Sequence, residues 1–271
     1  MDSEKAFLDS YNIESYDRPS VATDIVAFTI SSKNTESFRK DPDIKLSVLL
    51  IERAEYPFKG AWALPGGFVR IDETVEQSAL REIVEETGVN PDTLVHTGVF
   101  SEINRDPRGR VISNAFTCIF NSQPTPIAGS DAKSALWFDV SFKQLDETRY
   151  TLELTNEDKS LVVNITQTKS PLGIKQLVVD SSVLAFDHAQ IIFTALKALK
   201  SKAIRFELIF DFLPEEFTLA GLQKIHQTIT GTSTSPANFR RKVLDYVEET
   251  GNSTQGAGHR PAMLYRKKVR F

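Results

Sequence analysis

Glu82, Glu85 and Glu86 stand at i, i+3 and i+4 in a stretch, Thr74 to Thr87, that lacks glycine and proline. If that stretch is helical, the three carboxylates share one face, and Gly88 supplies a C-terminal stop. Like charges so placed weaken a bare helix, but they are tolerated where they hold a hard cation, and Mg²⁺ prefers oxygen ligands. Such a metal can bridge a diphosphate and activate water. Gly66 and Gly67 let the backbone turn tightly and come close to a ligand. Arg81 can hold a glutamate by a charge-assisted hydrogen bond. Taken alone, the run Arg81–Glu86 also reads as a solvated acidic face. The register of Gly67 and Glu73 with it argues against that reading.

Other residues with chemical potential lie on loops and near the C-terminus. Residues 56–67, YPFKGAWALPGG, form a shaped loop rich in proline and glycine. Its Phe58 and Trp62 could pack a purine or simply the core. Residues 104–110, NRDPRGR, place three arginines on one turn. They could grip phosphates bidentately or form a solvated surface turn. His188, beside Asp187, reads as structural or capping. Cys118 alternates with apolar neighbours and reads as a buried thiol rather than a nucleophile.

Strands are expected at 21–30, 44–51, 93–100 and 111–120, with Trp137 and Phe138 on a further core-facing strand. Residues 141–181 alternate in short bursts and read as strands that complete the sheet. An amphipathic helix is expected over 184–200, with Ala185, Ile192, Ala195, Leu196 and Leu199 on its apolar side. Residues 1–20 read as a loose arm.

Beyond residue 200 the pattern changes. Thr218 is an N-cap for a helix ended by Gly231, and Ser235-Pro236 opens a second helix over 237–247. Phe239, Val243, Tyr246 and Val247 are its expected buried face. Asn238 and Arg241 point away, with Arg240 and Lys242 on the flanks. Arginine suits guanine edges, asparagine suits adenine, and both cations suit phosphates. A glycine-bracketed tip carrying His259 and Arg260, then a strand over 262–268, reads as a basic wing. A helical appendage with a solvated basic face is the alternative.

The composition is ordinary for a globular chain of 271 residues. One cysteine excludes an intramolecular disulfide framework and is compatible with a reducing compartment. The polar, acidic start is no signal peptide, and no apolar run approaches a membrane span. The net charge of −4 is uneven: residues from 201 onward carry eleven Lys/Arg against seven Asp/Glu. A basic end on an acidic body suggests a separate partner for that end, such as nucleic acid.

The spacing from Gly67 through Glu73, Arg81-Glu82, Glu85-Glu86 and Gly88 resembles the Nudix box with every defining position filled. That resemblance implies an α/β/α sandwich, Glu82, Glu85 and Glu86 as metal ligands, and Glu73 as a support of the loop–helix geometry. RDPRGR before a strand, and LAFDH before a helix, resemble the Nudix branch that binds ADP-ribose. There the first and last arginines, here Arg105 and Arg110, help hold the diphosphate-sugar. With EFTLAGLQKIHQ, NFRRKVL and GHRPAMLYR, nearly the whole chain resembles the Nudix-related transcriptional regulators of NAD metabolism. The expectation is an α+β protein with an arm (1–20), a Nudix effector domain (21–203) and a winged helix-turn-helix domain (204–271). The ligand pocket would use Phe58, Trp62, Gly66, Gly67, Arg105 and Arg110. Asn238, Arg240, Arg241, Lys242, His259 and Arg260 would contact DNA. The resemblance further implies a cytoplasmic, nucleoid-associated bacterial homodimer, a palindromic double-stranded operator, and ADP-ribose as the effector that releases DNA. Its members typically repress genes of NAD synthesis or salvage. The intact box also permits a Mg²⁺-dependent ADP-ribose pyrophosphatase, with Glu85 and Glu82 as catalytic residues.

Overall fold

Strand β1 (Ser20–Lys33) lies at the heart of the structure. Its Ile25, Val26, Ala27 and Phe28 are all fully buried, so both faces of the strand are covered. Successive side chains point to opposite faces, and they divide accordingly: Ile25 and Ala27 join one apolar cluster, Val26 and Phe28 the other. The structure, a computed structural model, describes residues 3–33, 43–127, 132–169, 175–180, 183–254 and 261–268.

Around β1 are β2 (Asp43–Arg53), β3 (Trp62–Ala63), β4 (Gly66–Phe68), β5 (Thr93–Phe100), β6 (Val111–Phe120), β7 (Ala132–Gln144), β8 (Arg149–Asn156), β9 (Lys159–Lys169) and β10 (Lys175–Asp180). The sheet order is β10-β9-β8-β7-β2-β1-β6-β5, with β3 on β2 and β4 on β1. The β1–β6 pair is parallel, and the remaining pairs of this sheet are antiparallel. Helix α1 (Ser3–Ser10) precedes the sheet, so the expected loose arm contains one exposed helical segment.

Helix α2 (Val75–Thr87) covers one face of the sheet with Ala79 and Ile83. A capping box starts it: Thr74 accepts from the Gln77 amide, and the Gln77 side chain accepts from the Thr74 amide. Gly88 ends it in the left-handed conformation (φ 70°). Helix α3 (His188–Ile204) covers the other face with Ile191, Ile192, Ala195, Leu196 and Leu199. It starts four residues later than the periodicity suggests. The Trp62 amide donates to the Val183 carbonyl and the Ala185 amide to the Trp62 carbonyl, so the chain is still extended there. Phe186 then turns it at positive φ.

The C-terminal part holds α4 (Leu219–Thr230), α5 (Pro236–Val243) and a ribbon of β11 (Val247–Ser253) and β12 (Met263–Lys267). Phe217 pairs with Tyr265 in both directions, which clips the entry of α4 to the ribbon. Helix α5 is shorter than expected from sequence. Phe239 and Val243 bury its inner face, but Val247 opens β11, where it is buried against the same cluster. That cluster runs without interruption from the sheet through α3 into α4, α5 and the ribbon. Among the described residues, no helix is long and apolar enough to cross a membrane.

Candidate functional site: an acidic cleft and a basic helix

Asp24 is a single acid within the apolar run of β1, and it anchors the cleft. Its carboxylate accepts from Ser113 Oγ at 2.6 Å and from Arg105 Nη2 at 3.0 Å. Its other oxygen lies 3.3 Å from His188 Nε2. His188 Nδ1 accepts from the Leu64 amide at 2.8 Å. That acceptor role puts the neutral ring's proton on Nε2, facing Asp24. Burial pushes the Asp24 carboxyl up, but His188, Arg105 and Ser113 outweigh it and hold the group well below the carboxylate range. Arg105 also grips Asp187, through Nε at 2.9 Å and Nη2 at 2.6 Å. One buried arginine thus ties the start of α3 to β1 and to the loop before β6.

Helix α2 presents the second charge set. Arg81 forks onto Glu73, with Nη2 to Oε1 at 2.7 Å and Nε to Oε2 at 3.0 Å. Its Nη1 reaches Glu82 at 2.7 Å and lies 3.6 Å from Glu85. The hydrogen bonds from Arg81 hold the Glu73 carboxyl down, at about 2. Glu73 also accepts from the Arg70 amide, so it pins the loop to the helix. Burial raises Glu82, with the neighbouring charge of Glu85 adding to it and Arg81 opposing it. Gly67 faces Glu82 directly: a Cβ there would sit 2.3 Å from Glu82 Oε1. At Gly66 a Cβ would meet the Thr23 carbonyl at 2.2 Å. Gly66 therefore needs glycine, since a side chain there would meet backbone, whereas at Gly67 the Glu82 carboxylate could swing aside.

The two charge sets line one cleft of about 650 Å³, which includes Asp24, Gly66, Gly67, Arg70, Arg81, Glu82, Glu85, Glu86, Arg105, Arg108 and His188. Glu85 is exposed and Glu86 is buried. Three hard oxygen donors on one turn of helix suit Mg²⁺ chemically. Yet among the described residues no three His, Cys, Asp or Glu are gathered closely enough to hold a metal ion. Arg81 draws Glu82 and Glu85 toward itself.

The other residues picked out from sequence fall in different places. Trp62 is buried edge-on to Phe138 at 4.8 Å, which is the core placement of its two readings. Phe58 is 41% exposed and lies outside the acidic cleft, in a second cavity beside it. Arg110 is exposed, and its Nη1 donates to the carbonyls of Ser101 and Glu102. Of the three loop arginines, Arg105 and Arg108 line the cleft and Arg110 does not. Arg108 is held by Asp106 and lies 5.0 Å above the Phe68 ring. Cys118 is fully buried, and burial pushes its thiol up, as a core thiol requires. The cleft role of Asp24 was not singled out from sequence. Its signal was a lone carboxylate in the run VATDIVAFTI, where an unpaired charge would be costly.

Far from this cleft along α3, Asn238, Arg240, Arg241 and Lys242 are all exposed on α5. Ser235 caps the helix and Pro236 takes its first position. Among the described residues neither Arg240 nor Lys242 makes an ion pair. His259 and Arg260 lie outside the described residues.

A NUDIX domain model matches residues 38–153 and an NrtR DNA-binding winged helix domain model matches residues 209–267. The ADPR responsive transcriptional repressor NtrR of Acinetobacter baylyi is 30% identical over 268 residues, which is 97% of this chain and 88% of that protein. A MutT/nudix family protein from Enterococcus faecalis superposes with a TM-score of 0.73 at 29% identity, over 98% of this chain and 92% of that one. Shewanella oneidensis NrtR complexed with a 27mer DNA gives a TM-score of 0.56 at 25% identity, over 92% and 93% of the two chains. The fold, the cleft and the exposed basic helix agree with these likenesses, and the chain belongs to the NrtR family, which joins a Nudix domain to a winged-helix DNA-binding domain.

Proposed function

We propose that this protein is a transcriptional repressor of NAD synthesis or salvage genes whose Nudix domain binds ADP-ribose and thereby releases DNA. One observation carries this reading. Helix α3 begins at the cleft with His188 and ends beneath the winged helix, where Ala203 and Phe206 join the cluster shared with Phe239 and Val243. Its 17 residues make a rod of about 25 Å. A ligand that alters the Asp24–Arg105–Asp187 contacts would shift one end of that rod and tilt the other. The natural division is an arm (1–20), an effector domain (21–203) and a DNA-binding domain (204–271). The basic helix α5 would enter the major groove of double-stranded DNA, with Asn238 and Arg241 toward base edges and Arg240 and Lys242 toward phosphates. A homodimer would place two such helices on a palindromic operator in the bacterial cytoplasm.

In the cleft, Gly66 and Gly67 would admit the diphosphate against backbone, and Arg105 would supply charge. Glu82, Glu85 and Glu86 would hold Mg²⁺ once Glu82 and Glu85 turned from Arg81. The bound ion would supply charge neutralisation for the diphosphate and, in hydrolysis, an activated water. The intact box favours a second reading, an ADP-ribose pyrophosphatase, in which Glu82 and Glu85 serve the reaction.

One assay separates the readings: fluorescence anisotropy on DNA from the gene's own neighbourhood, at fixed salt because phosphate contacts dominate affinity, with ADP-ribose titrated in. Tight, sequence-selective binding that collapses as ADP-ribose rises supports the repressor. Sequence-blind binding indifferent to ADP-ribose, with Mg²⁺-dependent release of AMP, supports the hydrolase.

A further inference from the structure

Two elements lead from the Arg105–Asp187 ion pair toward the DNA-binding part. One is α3, which begins just after Asp187. The other is β5, which ends at Phe100, where the chain enters the loop 101–110 that carries Arg105. Among the described residues β5 is an edge of the sheet and pairs with β6. It spans about 24 Å at the usual rise of a strand, and its far end is Thr93.

Thr93 meets the DNA-binding part through a carboxylate. Its Oγ1 donates to Asp211 Oδ2 at 2.8 Å. Asp211 lies on a 3-10 turn, Ile209–Phe212, between α3 and α4. Its other oxygen lies 3.7 Å from Lys267 Nζ on β12, and that ammonium sits 5.6 Å from the Phe210 ring centre. The Asp211 side chain is 19% exposed, so salt screens the contact only in part. Strand β12 does not move alone: it pairs with β11, and Tyr265 is clipped to Phe217 at the entry of α4. Asp211 thus joins the edge of the Nudix sheet to the whole winged helix.

The joint beside this contact is strained. Phe206 and Leu208, both at φ 59°, take the left-handed conformation that non-glycine residues avoid. Such backbone persists only where its surroundings hold it, and it gathers at switch regions. The Asp211 amide donates to the Leu208 carbonyl at 3.2 Å, so the same residue braces the strained joint.

We propose that Asp211 is a positioning residue for DNA binding, which carries the state of the acidic cleft to the winged helix through β5, alongside the route through α3. A ligand that moves the Arg105 loop displaces β5 at its end and, through Asp187, α3 at its start. Both elements reach the joint, so unequal displacement turns the winged helix. Thr93 and Asp211 lie outside the acidic cleft and outside α5. Cutting their contact therefore leaves both binding sites whole and weakens the coupling between them. The inference deepens the ADP-ribose repressor reading and rests on it.

The test uses full-length protein and duplex DNA from the gene's own neighbourhood, with affinity read by fluorescence anisotropy at fixed salt, without and with saturating ADP-ribose. The ratio of the two affinities is the coupling. Thr93→Val keeps the side-chain shape and removes the donor, whereas Thr93→Ser keeps the donor. Glu207→Gln loosens the exposed Arg205–Glu207 pair in the same joint and serves as a control. Lys267 is left intact, because its charge also suits a DNA phosphate. The proposal expects Thr93→Val to bring the ratio about tenfold closer to one, the weight of one hydrogen bond to a charged group. Thr93→Ser and Glu207→Gln should keep the wild-type ratio, and ADP-ribose should bind all the DNA-free proteins alike. Wild-type coupling in Thr93→Val overturns the proposal. So does an equal loss in Thr93→Ser or Glu207→Gln, which marks a general loosening of the joint. Both of these outcomes leave the ADP-ribose reading intact; wild-type DNA binding that ignores ADP-ribose overturns that reading and this inference together.

Discussion

The cleft and the exposed face of α5 are both rich in charge, but they use it in opposite ways. In the cleft, Arg105 is 8% exposed and locked to Asp24 and Asp187, and Arg81 is locked to Glu73 and Glu82. On α5, Arg240, Arg241 and Lys242 are exposed. Arg241 Nη2 lies 3.5 Å from Asn238 Oδ1 on the same helix. Buried, paired charges are costly to separate and therefore fix geometry. Exposed cations fix little in the fold and stay available to a polyanion, with an affinity that salt controls. Breaking the first kind should therefore cost stability, and breaking the second should cost only binding.

The largest effect is expected from Arg105→Met, which leaves Asp24 and Asp187 buried without their shared partner. Removing one member of a buried pair costs on the order of 3–5 kcal/mol, and thermal unfolding should show a much lower midpoint. Asp24 gives the same contrast a pH dependence. Its folded-state carboxyl lies below its ordinary value of 3.8, so its contribution is present above that pH and is lost as pH falls further toward the folded value. Acid unfolding of the wild type should steepen below pH 3.8, and Ser113→Ala should move that loss to higher pH. A midpoint for Arg105→Met within a degree of wild type would mean that the cleft charges do not organise the fold.

A smaller and different effect is expected from Arg241→Ala. Operator affinity should fall by about 1–3 kcal/mol if the side chain reads a base edge, with the unfolding midpoint unchanged because the side chain is exposed. Lys242→Ala should weaken all sequences evenly and lower the salt slope by about one. Anisotropy titrations at several salt concentrations distinguish the two. If both variants lose stability instead, the charges of α5 belong to the fold as those of the cleft do.

The difference between the regions also explains what could be read from sequence. The box helix and its stop at Gly88 were legible because local spacing determines them. Strands β5 and β6 were legible for the same reason, as were the caps at Thr218 and Ser235. The Asp24–Arg105–Asp187 cluster was not, because it joins residues 81 and 82 positions apart, drawn from β1, the loop before β6 and the start of α3. No local pattern reports such a contact. Tertiary packing also overrode periodicity twice: residues 184 and 185 stay extended beside β3 instead of starting α3, and Val247 enters the ribbon instead of extending α5. Trp62 and Phe58 sit four residues apart in a stretch that reads as one loop, yet Trp62 opens β3 and faces the core while Phe58 faces a cavity. Loop aromatics have no period from which to tell these apart.

The smallest predicted effect lies between the two regions. His226 on α4 stacks on Phe206 (5.2 Å) and meets Phe239 edge-on (5.5 Å), so it touches both the segment just after α3 and the inner face of α5. Among the described residues its buried Nδ1 has no hydrogen-bond partner. Burial, and then the charge of Lys242, push its pKa below the usual 6.5. The unfolded chain therefore takes up a proton before the folded one does, and stability must fall as pH drops below about 6.5 toward the folded value. His226→Leu removes both the unpaired nitrogen and this titration while keeping an apolar side chain against Phe206 and Phe239. Its stability should be flatter than wild type between pH 7 and 5 and about 1 kcal/mol higher at the acid end, read from urea unfolding at each pH. A variant that follows the wild-type curve in parallel would show that His226 does not sense protons at this junction.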